Sequence, residues 1–424
     1  MEHMLEQKTK ETVLGAMDGN ELWSDLRALA DYGRRSNGGV GRLALDENDV
    51  RARLWLAEQG QRWGCTVFVD DAANLFLRRP GREPGLAPVV VGSHLDSQPA
   101  GGAYDGALGV LAGLQLLKAM HRCDVSTRRS IEVVSWTNEE GVRFAPGTSG
   151  SACFCGARTI SATRELLDEA GIQFGACVDD CLAELKRQNV THIDFGRPFH
   201  AFLEAHIEQG PVLERGHHSV GIVTGIQGVA WYQITVHGVA GHAGTTPRAA
   251  RADAVEGACM LSSRLREVCR DPDDEVRFTI GRFRVEPDSV NTIPDRVTFT
   301  IDLRHPEAAM LDALDEQFKE LCTQDWSGCD VSLESLSRID PVHFSDEIGD
   351  RMETNALEFG LRAPRLMSGA FHDAIHLARH CPTGMVFIAC EDGVSHHPSE
   401  SVTQEDAVAG TRFLGATALD LAYD

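Results

Sequence analysis

Two rhythms of apolar residues run along this 424-residue chain. Residues 21–34 place Leu22, Leu26 and Leu29 at helical spacing, and 43–63 reads as a second helix with Asp46 at its N-cap. Residues 66–69 and 74–78 alternate like strands on either side of a turn at 70–73. The style then changes. Residues 88–92 (PVVVG) and 131–136 are short, wholly apolar runs, the mark of parallel strands buried on both faces, and a long apolar helix at 106–120 stands between them. Strand–helix–strand order of this kind predicts a layered α/β sheet. The first 20 or so residues read as a polar tail.

The middle of the chain has a different character. Residues 229–237, 275–285 and 296–304 alternate as strands, with one amphipathic helix at 252–270 among them. This β–α–β–β order predicts a small α+β insertion with its own sheet. Beyond it, the apolar strand 385–388 and a terminal helix at 404–421 return to the α/β style. The expected architecture is a discontinuous α/β domain, 1–218 with 335–424, interrupted by a smaller α+β domain at 219–334. There is no internal repeat or low-complexity tract.

Composition narrows the class. The chain is 42% hydrophobic, with 63 acidic against 40 basic side chains and a formal net charge of −23. Neutralising phosphates needs a basic patch, so no nucleic-acid partner is expected. No apolar run approaches the ~20 residues that span a bilayer, so no membrane partner is expected. Residues 1–20 lack the apolar core of a secretory signal. Together with 12 cysteines that show no disulfide framework, this points to a reducing, cytoplasmic setting. Cys153-x-Cys155 and Cys177-x3-Cys181 lack the partner spacing of a thiolate metal site.

The candidate chemistry lies just beyond the buried strands, where open α/β sheets gather ligands. His94 and Asp96 follow the PVVV run, and at i and i+2 the carboxylate of Asp96 can accept a proton from the ring nitrogen that does not bind metal. Asp105, among glycines at the entrance of the next helix, has two oxygens and can bridge two ions. Glu139 and Glu140 follow the second buried run and point different ways, so one can ligate while the other serves as a general base. His206 and His396 complete a set: His94, Asp105, Glu140, His206 and His396 supply the imidazoles and carboxylates of a two-metal hydrolytic centre. Without thiolate, such a set favours zinc, with manganese, cobalt or nickel as alternatives.

Seven segments in order carry a likeness: GSHLDSQPAGGAYDG (92–106), WTNEEGVRFAP (136–146), HIEQGPVLE (206–214), GHAGTTP (241–247), NTIP with DLR (291–304), SGAFHDA (368–374) and GVSHHPSE (393–400). In them the chain resembles the M20-type metallohydrolases, in the amidase/hydantoinase/carbamoylase branch that includes β-ureidopropionases. The resemblance implies a mixed-sheet, aminopeptidase-like catalytic domain with an inserted lid that also carries a dimer interface. It assigns His94, Asp105 and His206 to one metal ion and Asp105, Glu140 and His396 to the other. Glu139 becomes the acid/base and Asp96 the orienting carboxylate. His242 would enter the partner's active site and donate to the oxyanion. Asn291 and Arg304 would clamp a substrate carboxylate. Gln209, taken as one helical turn from His206, would contact substrate through its amide.

The activity so implied is metal-dependent hydrolysis of the carbamoyl C–N bond of N-carbamoyl α- or β-amino acids, releasing amino acid, carbon dioxide and ammonia. Allantoate amidohydrolase and an M20 aminoacylase or dipeptidase are the nearer alternatives, and a metal-bearing binding protein without catalysis is the alternative of another class. Three positions depart from the family pattern: Phe371 stands where a glycine is usual, His397 where a polar amide is common, and Arg248 where an apolar residue is usual.

Overall fold

The computed structural model describes residues 2–424. The chain folds as two compact units, Met1–Thr224 with His343–Asp424, and Gly225–Val342. The insertion expected at 219–334 is therefore displaced at both ends. Val220–Ile226 is a strand of the large sheet, and the small sheet is completed by Asp330–Ile339, which runs past residue 334.

The strands in chain order are β1 (Thr66–Val69), β2 (Leu75–Arg79), β3 (Val89–His94), β4 (Ile131–Trp136), β5 (Thr191–His192), β6 (Ala201–Ile207), β7 (Val220–Ile226), β8 (Gly228–His237), β9 (Gly241–His242), β10 (Arg277–Glu286), β11 (Thr292–Ile293), β12 (Arg296–His305), β13 (Asp330–Ile339), β14 (Val342–His343), β15 (Arg365–Ser368) and β16 (Thr383–Ile388). The large unit is built on one mixed sheet in the order β14–β7–β16–β6–β3–β4–β2–β1–β5, with β15 beside β7. Its centre, β16–β6–β3–β4, is parallel, and all four strands are buried along their whole length. Burial on both faces explains why β3 and β4 are runs of Val and Ile and not alternating patterns. The helices Ala107–Arg122 and Gln404–Tyr423 pack on this sheet and on each other. Ala107–Arg122 buries nearly every side chain, as an all-round apolar sequence must.

Because the central strands are parallel, their carboxyl ends share one edge. The loops that leave this edge follow His94 on β3, Trp136 on β4, Ile207 on β6 and Ile388 on β16. The expected polar tail is a correction: Glu2–Gly15 is a helix, and Val13, Leu14 and Met17 are buried. Its one buried amine, Lys10 Nζ, lies 2.6 Å from Asn355 Oδ1 and 2.9 Å from Asp420. Those partners lie some 345 residues or more away, so no local pattern announced the helix.

In the inserted unit an antiparallel sheet, β10–β12–β8–β13, buries Tyr232, Ile234, Phe299 and Leu303 against the helices Ala254–Val268 and Ala308–Cys322. The second helix and β13 extend the expected β–α–β–β order to β–α–β–β–α–β. A separate two-stranded ribbon pairs β9 with β11.

Behind this parallel edge sits a fully buried ion pair. Arg53 Nε donates to Asp49 Oδ2 at 2.9 Å, while its Nη1 and Nη2 reach the carbonyls of Ala73 and Trp136 at 2.7 and 3.3 Å. Removing one member of such a pair strands the other charge in an apolar interior. Asp49→Ala is therefore expected to lower stability by about 3–5 kcal/mol, read as a shift of the urea unfolding midpoint; a shift below about 1 kcal/mol would show that Arg53 is solvated or neutralised some other way.

Candidate metal centre

The loops at the parallel edge bring His94, Asp105 and His206 together, and likewise Asp105, Glu140 and His396: within each trio the donor atoms lie within 4.8 Å of one another. Asp105 belongs to both. Its Oδ1 is 2.8 Å from His206 Nε2 and 3.7 Å from His94 Nε2, and its Oδ2 is 3.4 Å from His396 Nε2. Glu140 Oε2 lies 3.5 Å from the same His396 nitrogen. Glu139 is absent from both trios, yet its Oε2 stands 3.4 Å from His94 Nε2. His94 and His206 are each 1% exposed and the His396 side chain is 48% exposed, so the centre opens to solvent on the His396 side.

Each element contributes one orientation. The ring of His94 is turned by Nδ1, which donates to the backbone carbonyl of Asp96 at 2.8 Å, and His206 Nδ1 donates to the carbonyl of Ile207 at 2.9 Å. Both rings thereby direct Nε2 into the centre. The expected role of the Asp96 side chain is corrected here: its carboxylate is 3.9 Å from His94 Nδ1. It accepts instead from the backbone N–H groups of Glu139 and Glu140, at 3.2 and 3.1 Å. Asp96 thus orients the histidine through its carbonyl and the glutamate turn through its side chain. Gly106, at φ +65, completes the fit. Any Cβ there would overlap the His94 ring, and the left-handed conformation favours glycine.

Gln209 is a second correction. His206 is on strand β6, so Gln209 is not one helical turn away but in the loop beyond, at φ +57. Its Nε2 donates to Asp105 Oδ2 at 2.9 Å and to Ser395 Oγ at 3.3 Å.

The electrostatics suit cations. Asp96, Asp105, Glu139, Glu140, Glu204, Asp373 and Glu400 all lie in or around this edge, and the partners they find are histidines, hydroxyls, amides and backbone N–H groups. Burial pushes Glu139 well above the usual carboxylate range, with the charges of Asp373 and Glu140 adding to it. Burial and the charge of Asp105 raise Glu140 to about 8. Asp96 and Glu204 rise to about 7, mainly through burial. Asp105 goes the other way: burial raises it, but the charge and hydrogen bond of His206, the hydrogen bond of His396 and the charge of His94 together pull it well below the usual carboxylate range. Burial pulls His206 down, but Asp105 more than restores it, to about 9, whereas burial leaves His94 at about 4. So much acid held out of water with few countercharges is the signature of a site for positive ions. His94 Nε2 and Glu140 Oε1 are buried without a hydrogen-bond partner, lone pairs that a divalent cation would satisfy.

Three residues implied by the resemblance lie in the inserted unit. His242, exposed on β9, accepts at Nδ1 from Gly244 N–H at 3.1 Å, which leaves the proton on Nε2. Asn291 receives the Ala243 N–H on its carbonyl at 3.0 Å. Arg304, on β12, grips Asp302 through Nε and Nη2, both at 2.9 Å. A further group in this unit, Asp271, Glu275 and His305, has metal-ligand residue types. There His305 Nδ1 accepts from Glu307 N–H at 2.9 Å, so the proton lies on Nε2, the nitrogen 3.8 Å from Glu275, and that nitrogen offers no lone pair to a cation.

Sequence reasoning passed over Glu204, Asp373 and Glu400. Glu204 carried a usable signal, an acid inside the buried strand AFLEAHI. It accepts from Ser93 Oγ at 2.8 Å and from Ala374 N–H at 2.9 Å. His372, whose ring centroid is 4.4 Å from that of His206, stood in a quoted segment without a role.

Known proteins similar to this chain align with it over nearly its whole length. An N-carbamoyl-L-amino acid amidohydrolase of Geobacillus stearothermophilus is 36% identical over 417 residues, covering 96% of this chain and 99% of that protein. An allantoate amidohydrolase of Bacillus subtilis (strain 168) is 32% identical over 409 residues, covering 95% and 98%. The crystal structure of an amidase of the hydantoinase/carbamoylase family from Burkholderia multivorans superposes with a TM-score of 0.89 at 38% identity, covering 96% of this chain and 98% of that one. The profile of Peptidase family M20/M25/M40 matches residues 90–420, a span that contains every member of both donor trios. With a family model matching most of the chain and relatives aligned over nearly its whole length, the chain belongs to peptidase family M20/M25/M40.

Proposed function

We propose that this protein hydrolyses the carbamoyl C–N bond of N-carbamoyl amino acids with two divalent cations, zinc first among them. The observation that carries this reading is the placing of Asp105, with one oxygen toward each trio, beside a Glu139 that belongs to neither. Full-length similarity to a protein named N-carbamoyl-L-amino acid amidohydrolase supports the substrate class. His94, Asp105 and His206 would hold one cation, and Asp105, Glu140 and His396 the other. Bound there, divalent cations supply the charge that acidifies water and polarises a carbonyl oxygen.

The rest of the chemistry belongs to the chain. Glu139 takes the proton from water as the oxygen attacks the carbamoyl carbon, then delivers it to the departing nitrogen. Asp96 holds the backbone of Glu139 and fixes the reach of that carboxylate. Arg304 and Asn291 bind the substrate carboxylate, the guanidinium exchanging part of its grip on Asp302 for the ligand. Gln209, within reach of Asp105 and Ser395, orients the substrate amide. The inserted unit serves as lid and dimer interface, and the partner subunit's His242 donates Nε2–H to the developing oxyanion. A reducing, cytoplasmic setting fits the free cysteines, and no helix among the described residues is long and apolar enough to cross a membrane.

The direct test is a substrate panel on chelator-stripped and reconstituted protein: N-carbamoyl α- and β-amino acids, allantoate and N-acetyl amino acids. Turnover of the carbamoyl substrates is expected only after zinc, manganese, cobalt or nickel is restored; preference for allantoate or acetyl substrates would replace this reading. Glu139→Gln is expected to keep its cations and to lose about 10²–10⁴ in kcat, and an active variant would remove the residue from the proton step. Asp96→Ala should cost about 100-fold in kcat through the displaced glutamate turn while cation stoichiometry holds. Loss of the cation assigned to His94, Asp105 and His206 instead would return its carboxylate to the service of His94. Mixed Glu139→Gln and His242→Ala subunits should regain part of the activity, since one hybrid site receives both intact residues; no recovery after demonstrated subunit exchange would contradict action across the dimer.

A further inference from the structure

Glu400 lies in the loop that carries His396, ahead of the helix Gln404–Tyr423, and is 5% exposed, but it belongs to neither donor trio. Its Oε1 accepts from the backbone N–H groups of Tyr104 and Asp105, at 2.9 and 3.0 Å. Its Oε2 lies 3.4 Å from Ser395 Oγ, and that hydroxyl donates to Asp105 Oδ2 at 2.8 Å. The approach is tight enough that a Cβ on Gly102 would overlap the Glu400 carboxyl, so only glycine admits it.

The segment so held lies outside any strand or helix and is joined to the next helix by the Leu108 N–H, which donates to the Tyr104 carbonyl at 2.9 Å. Tyr104 and Asp105 lie between β3 and the helix Ala107–Arg122, in a glycine-rich stretch whose backbone is free to adopt many conformations. Glu400 is tied in turn by its own N–H to the carbonyl of His397 at 3.0 Å. One short turn therefore brings His396 to the Asp105 side chain and Glu400 to the Asp105 backbone.

We propose that Glu400 is a positioning residue that fixes Asp105 between the two cations, acting as a hydrogen-bond acceptor and not as a charge or a ligand. The proposal rests on the reading of Asp105 as the shared ligand. Because a backbone displacement of a shared ligand moves both of its oxygens, loss of Glu400 weakens both cation sites together, whereas damage confined to the His396 loop weakens one.

The test is titration of the chelator-stripped full chain with Zn²⁺, by calorimetry and by competition with a chromophoric chelator, for wild type, Glu400→Gln, Glu400→Asp and Glu400→Ala. Gln keeps an oxygen for the two N–H groups and an amide that can donate to Ser395 Oγ, so it is expected to bind as wild type does. Asp keeps the charge and loses a methylene of reach. Asp and Ala are expected to lose about 10–100-fold in affinity at both sites, a typical effect of removing a group that holds a ligand. If Ala does not fold, judged by circular dichroism, the Gln and Asp pair decides. Wild-type affinity in Glu400→Asp, a loss in Glu400→Gln equal to that of Ala, or a loss confined to one site overturns the proposal. Wild-type protein that takes up no Zn²⁺ overturns the reading of Asp105, and this proposal with it, an outcome visible before any variant is made.

Discussion

Acid buried without matching base is the constraint from which the rest of this structure follows. The carboxyl ends of four parallel strands converge on one edge, and the loops there place carboxyl groups where water cannot solvate them. Desolvation of one such group costs several kcal/mol unless a partner compensates. Part of that compensation comes from within the chain: His206 and Asp105 share a charge-assisted hydrogen bond, while burial still pushes Glu139 and Glu140 upward. In the proposed enzyme, divalent cations take over that task, which ties the catalytic centre to the electrostatic balance of the whole edge.

The site is organised by backbone contacts as much as by side chains. His94 and His206 are oriented by carbonyls of Asp96 and Ile207. The glutamate turn is gripped from several directions: Asp96 holds the amides of Glu139 and Glu140, Asn74 Oδ1 accepts the Thr137 N–H at 3.0 Å, and Arg53 reaches the Trp136 carbonyl. Glu400 does for Asp105 what Asp96 does for Glu139. Such anchoring reduces the conformational freedom that would otherwise blur a reacting geometry.

Much of this was legible from the chain alone, and the misses have physical causes. The apolar runs at β3 and β4 and the helix between them declare a buried parallel sheet, because burial on both faces leaves no polar alternation. Residues just past such strands must share an edge, which is why His94, Asp105, Glu140, His206 and His396 could be grouped before any coordinates. What failed was information that lives in long-range contact. The first helix is anchored through Lys10 to Asn355 and Asp420 and through Val13 and Leu14 to the core, so its own sequence read as a tail. The side chain of Asp96 had two partners within reach, and only the register of β3 against β4 determined that it faces the glutamate amides and not the imidazole. Gln209 was misplaced because LEAHIEQ suits a helix as well as a strand until β16 pairs with β6. Glu400 was passed over because an acid whose partners are main-chain N–H groups leaves no mark in spacing.

The central claim is that Asp105 is shared between two cations while Glu139 stays unligated. Anomalous-scattering diffraction from crystals loaded with zinc tests it most directly. Two peaks are expected, one among His94, Asp105 and His206 and one among Asp105, Glu140 and His396, with the Glu139 carboxylate bound to neither. No peak at the parallel edge, or a single ion held by Glu139 itself, would contradict the account.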